Sequence, residues 1–407
     1  MINKALFVTS GQPALNPRLV KEADALINAG YDVTIIYSYW NDWGDDFTQE
    51  LSAAKKWKII NTSGHPTKSP SLYLFSKLLY KLTKWCFINL SFCAEDAVSR
   101  SAWFLTREAK KHAADLYIGH NLGALPAVVK AAKKFKAKCG FDAEDFHRQE
   151  VSNDINSFNY KIAKFIEDKY FPGLNYITAS SPQIADKYRQ LYPHKHPVTI
   201  LNVFPKSNIR PKEHNTNEPL KLFWFSQTIG PNRGLETVAK ALKSFEPGIF
   251  ELHLLGYITS LDKQSFIKNE LSDYQQVIFH DPIPPDEVVE FAAQFDIGLA
   301  TEKAIPLNRD ICLTNKIFTY LNAGLAIIAS NTTAQSSFMN ANPEVGKVYE
   351  KENIQSLITI LSNYHSDREV LNDACMAALK IGNKKLNWEN ESISFVKLVN
   401  DTLSKIE

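Results

Sequence analysis

The chain has little that would mark an oxidising, fibrous or membrane-spanning protein. Its five cysteines, Cys86, Cys93, Cys139, Cys312 and Cys375, are odd in number and scattered, with no CxxC pair. That excludes a disulfide framework and a cysteine zinc site and fits a reducing cytosol. Charge of one sign is not in excess: 46 Lys+Arg against 44 Asp+Glu leave +2. No global field therefore draws the chain to nucleic acid, and any electrostatic partner must be met by a local patch. The longest uncharged run, Ile317 to Pro343, loses its apolar character near Ala329, which leaves no transmembrane helix. The opening run Ala5-Leu6-Phe7-Val8 is too short for a signal peptide and closes at Gly11-Gln12-Pro13 without a cleavage-like site. One local absence stands out: Leu51–Ala94 contains no carboxylate but seven lysines.

What is present reads as a two-domain α/β protein. At 407 residues, with 44% hydrophobic and 22% charged residues, the chain is long enough for two globular domains of about 200 residues. Ala5–Val8 predicts a buried parallel strand. Leu19, Ala23, Leu26 and Ile27 follow at helical spacing, Gly30 stands at the C-terminal cap, and Val33–Tyr37 is the next strand. This strand, helix, strand unit recurs at Leu116–Ile118, Ala124–Phe135 and Cys139–Phe141, with Tyr176–Ala179 and Val198–Leu201 closing the half. Residues 206–219, rich in Pro, Asn and charge, have a linker composition. A second set of strands follows at Leu220–Phe225, Phe250–Gly256, Gln276–Phe279, Asp296–Ala300 and Ala326–Ser330. The expected fold is two doubly wound Rossmann-like domains facing each other across a cleft, with ligands bound beyond the carboxyl ends of the strands. A last helix, about Glu389–Lys405, carries Ile393, Val396, Val399 and Leu403 on one face.

Candidate chemistry gathers at the predicted strand ends. His120 follows Leu116–Ile118, where it can donate hydrogen bonds or move a proton. Asp142, Glu144 and Asp145 follow the next strand; three carboxylates in four residues repel unless solvated, paired, capping a helix or used. In the second half, Ser226–Arg233 leads from a strand into a helix at Gly234. Its backbone amides favour an anion, and Arg233 can hold phosphate by two parallel hydrogen bonds. Asn315-Lys316 opens another helix and offers a second cation. In the lysine-rich stretch, Lys77, Lys81 and Lys84 recur at i, i+4, i+7, with Phe75, Leu78, Leu79, Leu82 and Cys86 on the other side and Tyr73, Tyr80, Trp85 and Phe87 interleaved. That is the pattern of a membrane-surface helix, and equally of a solvated face.

Taken in order, these segments resemble the retaining GT-B glycosyltransferases of the family 4 type, especially the bacterial surface-polysaccharide branch. The resemblance covers nearly the whole chain. Asn16-Pro17-Arg18-Leu19, then Gly30-Tyr31-Asp32-Val33, is similar to the family's opening. Asp115–Asn121 matches the segment bearing its active-site histidine, Asp142–Asp145 its Asp-x-His-Glu segment, and Leu201-Asn202-Val203 its Pro-Asn-Gly segment. Arg233-Gly234 matches the phosphate-loop Lys-Gly, Asn315–Gly324 the Asn-Lys-x-x-Glu-Tyr block, and Trp388-Glu389 the start of a C-terminal helix that crosses back to the first domain. The chain departs from the family at several positions. Gln227 replaces an arginine, Glu144 the histidine of Asp-x-His-Glu, and Thr319 the carboxylate that holds the nucleotide ribose. The first slot of the spaced glutamate pair is Ile311, with Glu302 the nearest carboxylate upstream. The Gly-rich first loop is only Ser10-Gly11-Gln12-Pro13.

The resemblance implies an acceptor-binding domain over 1–205 together with the helix 388–407, and a nucleotide-sugar-binding domain over 206–387. It implies transfer from a nucleotide-diphospho-sugar to a glycan or lipid-linked acceptor with retention of configuration, without a metal or other cofactor, in cell-surface polysaccharide or lipopolysaccharide synthesis. His120, Asp142, Glu144 and Asp145 would serve catalysis. Gly11, Gln227, Gly230, Arg233, Glu302, Asn315, Lys316 and Thr319 would hold the donor. Lys77, Lys81 and Lys84 would meet an anionic membrane, making the protein cytoplasmic and peripheral at the inner face. A non-catalytic partner subunit of a transferase and a nucleotide-sugar epimerase on the same scaffold remain alternatives.

Overall fold

The computed structural model describes residues 2–90, 92, 95–212, 218–231, 233–270 and 276–404. Cys93, Asn232 and residues 213–217 of the expected linker lie outside the described residues, as does the end of the last helix beyond 404. The chain divides into two compact units, residues 1–201 with 392–407, and residues 202–391.

The first unit is built on seven parallel strands: β1 (Lys4–Thr9), β2 (Asp32–Ser38), β3 (Lys58–Thr62), β4 (Leu116–His120), β5 (Lys138–Ala143), β6 (Tyr176–Ala179) and β7 (Val198–Thr199). Their order in the sheet is β3-β2-β1-β4-β5-β6-β7. The second unit has six: β8 (Leu220–Thr228), β9 (Phe250–Tyr257), β10 (Val277–His280), β11 (Ile297–Ala300), β12 (Ala326–Ser330) and β13 (Gly346–Tyr349), in the order β10-β9-β8-β11-β12-β13. All described pairings in both sheets are parallel. Both are therefore doubly wound, Rossmann-like sheets, as the alternation of apolar runs and helical spacing predicts. In each, the order reverses beside the first strand, between β1 and β4 and between β8 and β11. At such a point adjacent loops diverge and leave a ligand crevice at the strands' carboxyl ends.

Local chemistry explains the entry to α1 (Pro17–Asn28). Asn16 Oδ1 accepts from the amide of Leu19 at 3.0 Å, and Pro17 occupies the first helical position. Leu19, Ala23 and Leu26 bury one face, and Gly30 follows with a φ of 90°. Two further helices matter below: α2 (Asp42–Ala53) and α3 (Pro70–Leu90). The last helix, Trp388–Ser404, belongs to the first unit from Ser392 onward, where Tyr31 donates to Asn400 Oδ1 at 2.5 Å. Strand β8 outruns its expected end. It carries a register shift between Phe225 and Thr228, which keeps Ser226, Gln227 and Thr228 in the sheet instead of the following loop.

Each sheet contains a glycine pressed under a tyrosine ring. Gly140 on β5 pairs with Tyr176 on β6, and a Cβ on it would lie 2.0 Å from that ring. Gly298 on β11 lies under Tyr320, 2.2 Å from a built Cβ, while the Tyr320 hydroxyl donates to the carbonyl oxygens of Phe223 (3.2 Å) and Leu299 (3.0 Å). The ring is pinned at both ends and cannot swing away. Gly298→Ala is expected to destabilise the second unit by about 1–3 kcal/mol through overpacking. Denaturant unfolding of the variant against wild type checks this.

Candidate functional site

Register assembles the first cluster. Thr9 on β1 lies opposite His120 on β4, His120 opposite Asp142 on β5, and Asp142 opposite Thr178 on β6. All four are buried, in one row at the carboxyl ends beside the β1/β4 reversal. Helix α1 lays Arg18 and Glu22, one turn apart and both buried, over this row. The Arg18 guanidinium grips Asp142 with two bonds, Nε to Oδ2 at 2.5 Å and Nη2 to Oδ1 at 2.8 Å, and gives a third to the carbonyl oxygen of Ile200 at 2.6 Å. Glu22 Oε1 stands 3.5 Å from Arg18 Nε. Thr178 donates to Asp142 Oδ1 at 2.7 Å.

His120 sits between carboxylates. Its Nε2 is 3.1 Å from Glu22 Oε2, and its Nδ1 is 3.2 Å from Glu144 Oε1 and 3.5 Å from Asp142 Oδ2. Each ring nitrogen faces a carboxylate, an arrangement that favours the doubly protonated imidazolium. Burial alone would lower its pKa, but Glu22, Glu144 and Asp142 override that and push it up to about 10. Asp142 is held low: burial opposes its charge, and Arg18, then His120, outweigh burial. Glu22 is pushed up by burial and by Asp142. Arg18 and His120 thus offset Asp142 and Glu22. Glu144, whose side chain is 28% exposed, is the carboxylate through which the network meets solvent, and Asn16 Nδ2 steadies it at 2.7 Å. Asp145, beside it, is half-buried. The sequence places His120 itself against a reacting sugar. In the structure its side chain is wholly enclosed and communicates with the surface through Glu144.

Glu22, His120 and Asp142 each offer one ligand atom within 4.8 Å of the others, the spacing of a metal site. The donor set does not fit one. Arg18 already takes both oxygens of Asp142, and both His120 nitrogens are already engaged by carboxylates, so the charge here is met by side chains.

Sequence reasoning missed Arg18 and Glu22 as site residues, although an i, i+4 charge pair inside an otherwise apolar helix face was the available signal. It also missed the backbone beyond His120. Asn121 adopts a φ of 67° and accepts from Thr9 Oγ1 at 2.7 Å. A non-glycine residue at positive φ costs about 1–3 kcal/mol and marks functional loops. Gly11, also in the first unit, donates to Thr9 Oγ1 at 3.2 Å and has open space where a Cβ would stand.

The second cluster lies at the β8/β11 reversal. Gly234 begins the helix Leu235–Leu242 with a φ of 80°, and a Cβ there would stand 2.9 Å from Thr301 Cβ. Only glycine fits both the dihedral and the space. Thr301 Oγ1 donates to the carbonyl oxygen of Arg233 at 2.9 Å, fixing the loop on the end of β11. The Arg233 side chain is half-buried and makes no ion pair among the described residues. Gly230 has open space around its Cα, and Gln227 is exposed at the end of β8. Lys316 is buried, with Nζ 2.6 Å from Glu302 Oε1 and 5.3 Å from the centre of the Trp224 ring. Glu302 adjoins Thr301, so the two candidate cations are tied to neighbouring residues of one strand end. Asn315 is exposed. Thr319 is buried with its hydroxyl unpartnered, and so is the Trp224 indole N–H.

The basic helix differs from its expected orientation. Lys77, Lys81 and Lys84 do not oppose the apolar residues: Leu78 and Leu82 stand exposed beside them, while Leu79 and Cys86 are half-buried.

No family model and no curated protein matches this sequence. Solved structures do. HepE of Anabaena, in complex with UDP and glucose, is 14% identical with a TM-score of 0.69, covering 98% of this chain and 100% of its own. A sucrose-phosphate synthase from Thermosynechococcus elongatus is 12% identical at a TM-score of 0.68, with 98% of both chains covered. The lipopolysaccharide outer core galactosyltransferase WaaB is 15% identical at a TM-score of 0.61, covering 98% of this chain and 99% of its own. At such identities the likeness concerns the fold, and the fold is GT-B.

Two results are expected of the first cluster. Arg18→Met should cost about 3–5 kcal/mol of stability, because it strands the buried Asp142 charge. His120 should remain an imidazolium at pH 8 by nitrogen-detected NMR. With a folded pKa raised above the unfolded value of about 6.5, its contribution is complete below that value and is lost as pH rises through about 10. His120→Gln should remove that component of the stability profile.

Proposed function

We propose that the protein is a retaining glycosyltransferase that moves a sugar from a nucleotide-diphospho-sugar to a glycan or lipid-linked acceptor. The observation that carries this reading is Arg233, set by Gly234 and Thr301 at the strand reversal of the second unit of a GT-B fold, with Lys316 on the same strand end through Glu302. It is supported by structures of HepE, of the same fold, that hold UDP and UDP-glucose. The resemblance read in the sequence adds retention, the family 4 type and a role in surface-polysaccharide or lipopolysaccharide synthesis. We place the protein at the cytoplasmic face of the membrane as a peripheral component.

In the reaction, the bond from the sugar's anomeric carbon to the diphosphate breaks with its electron pair on the phosphate oxygen. The acceptor oxygen bonds that carbon from the same side and passes its proton to the departing phosphate oxygen. The departing charge must be neutralised. Arg233 supplies a forked, permanently charged partner, and the first-turn amides of the helix Leu235–Leu242 have no side-chain cap competing for them. Lys316 contributes when the diphosphate displaces Glu302. Gln227, Gly230 and Asn315 complete the proposed donor contacts of the second unit, whereas Thr319 is wholly enclosed and reaches no ligand directly. In the first unit, Glu144 and Asp145 meet the acceptor. His120, held by Glu22 and Asp142, is the positioning group that keeps Glu144 aimed. Side-chain cations serve where a divalent ion could have, so the reaction proceeds without metal.

A thermal-shift panel of UDP, GDP, CMP and ADP, with and without Mg²⁺, tests this. One nucleoside diphosphate at about a hundred times its Kd should stabilise by about 2.7 kcal/mol, unaffected by Mg²⁺ and lost in Arg233→Ala. The same variant should lose roughly a hundredfold to a thousandfold in turnover, and EDTA should leave wild-type transfer unchanged. No shift with any nucleotide would instead favour a non-catalytic partner subunit.

A further inference from the structure

Helix α3 is mounted with its apolar side outward. Leu74, Leu78, Leu82, Trp85 and Ile88, spaced at i, i+4, i+8, i+11 and i+14, are all more than half exposed, Leu78 at 64% and Trp85 at 54%. That spacing is one continuous stripe about 21 Å long. The inward stripe is Ser76, Tyr80, Thr83 and Phe87, of which Ser76 is fully buried. Polar and aromatic contacts hold it. Arg100 donates to Ser76 Oγ at 2.8 Å and lies 4.7 Å from the centre of the Tyr73 ring, while Phe87 packs edge-on against Phe158 at 5.7 Å. The backbone of Tyr73 comes within 2.3 Å of where a Cβ on Gly64 would stand, so the amino end is seated tightly. A helix fixed this firmly presents its leucines to solvent by construction. Tyr39, 5.9 Å from Tyr73 ring to ring, brings the exposed Trp40 to the same end.

Charge selects the occupant. Lys55, Lys58 and Lys68 reach Asp24, Asp32 and Asp45, whereas the exposed Lys77 and Lys81 flank the stripe and Lys84 lies at its edge, half-buried with Nζ 4.4 Å from the centre of the Phe158 ring; none of the three meets a carboxylate among the described residues. A second copy of this chain would set those lysines against themselves. A sheet of anionic headgroups over hydrocarbon complements both the lysines and the leucines. No described helix is long and apolar enough to cross a membrane, so the contact lies along the surface.

We propose that the outward face of α3 inserts into an anionic bilayer, leucines and Trp85 into the acyl boundary and the three lysines among the headgroups. This deepens the peripheral part of the function proposed above and requires nothing of its donor chemistry.

Co-sedimentation with phosphatidylcholine vesicles, with and without half phosphatidylglycerol, tests it. The full chain should bind the anionic vesicles and lose affinity as salt rises. Lys77→Gln/Lys81→Gln/Lys84→Gln should weaken binding about a hundredfold, roughly fivefold per lysine. Leu78→Glu/Leu82→Glu should abolish both binding and the quenching of tryptophan fluorescence by brominated lipid. Circular dichroism and the nucleotide-induced thermal shift should stay at wild-type values, because both leucines are exposed. Absence of binding to anionic vesicles, binding unaltered in the leucine variant, or a solution dimer that the leucine variant dissociates would each overturn the proposal. Vesicle binding without any nucleotide shift would uphold this surface and count against the transferase reading.

Discussion

Arg18 has no contact with water and cannot lose its charge. Every other feature of the first unit's chemistry depends on how that charge is met. Asp142 answers it with both oxygens and Ile200 with a carbonyl, so α1, β5 and the end of the unit are locked in one arrangement. A buried pair of this kind adds little net stability over well-packed apolar residues, but removing one partner is costly. Its effect is therefore on specificity of arrangement. Asp142 is kept ionised, and with Glu22 it forms the carboxylate environment in which a buried His120 holds two protons against the pull of desolvation. The imidazolium in turn holds Glu144 at the surface. The order of causes runs from a helix residue to a strand residue to the exposed carboxylate.

The second unit uses the same sheet topology with the opposite allocation of charge. Its cation Arg233 is half-buried and meets no acid among the described residues, and its loop is held by backbone geometry at Gly234 and by Thr301. Lys316 is the buried partner, already neutralised by Glu302 at 2.6 Å. Any anion that engaged Lys316 would have to draw it away from that existing ion pair, and would gain from it only the difference. Arg233 has no such ion pair among the described residues, so its forked guanidinium is open to an anion.

Much of this was legible in the sequence. Apolar runs ending in Gly, Asn and Asp gave the strands and placed His120, Asp142 and Glu144 at strand ends, because a parallel sheet leaves few other places for polar residues after a buried run. The strand-to-helix turn at Arg233-Gly234 could be read for the same reason. What could not be read depends on partners distant in the chain. The i, i+4 pair of Arg18 and Glu22 marks a buried charge, but its partner cannot be read locally, because Asp142 lies 124 residues away. Nothing near Lys316 shows that Glu302 will neutralise it, or that Thr319 will be enclosed with an unpartnered hydroxyl. The extension of β8 to Thr228 follows from a register shift against β9, which is a property of the pair and not of either strand.

Two helices of the first unit break the ordinary amphipathic rule in complementary ways. α1 turns an arginine and a glutamate inward, and α3 turns its leucines outward over an inward serine held by Arg100. Single exposed leucines are common and carry no information, but a fixed stripe of them does. Apolar surface left in water forgoes about 25 cal/mol per Å², and buried charge carries a desolvation cost, so neither arrangement is favoured by stability alone. Proteins depart from local consistency where a site requires it. In α1 the inward charges create the protonated histidine behind Glu144. In α3 the polar seat leaves the apolar face free for a medium other than water. The same unit thereby carries a part-exposed carboxylate at its strand ends and a fixed apolar stripe on a flanking helix.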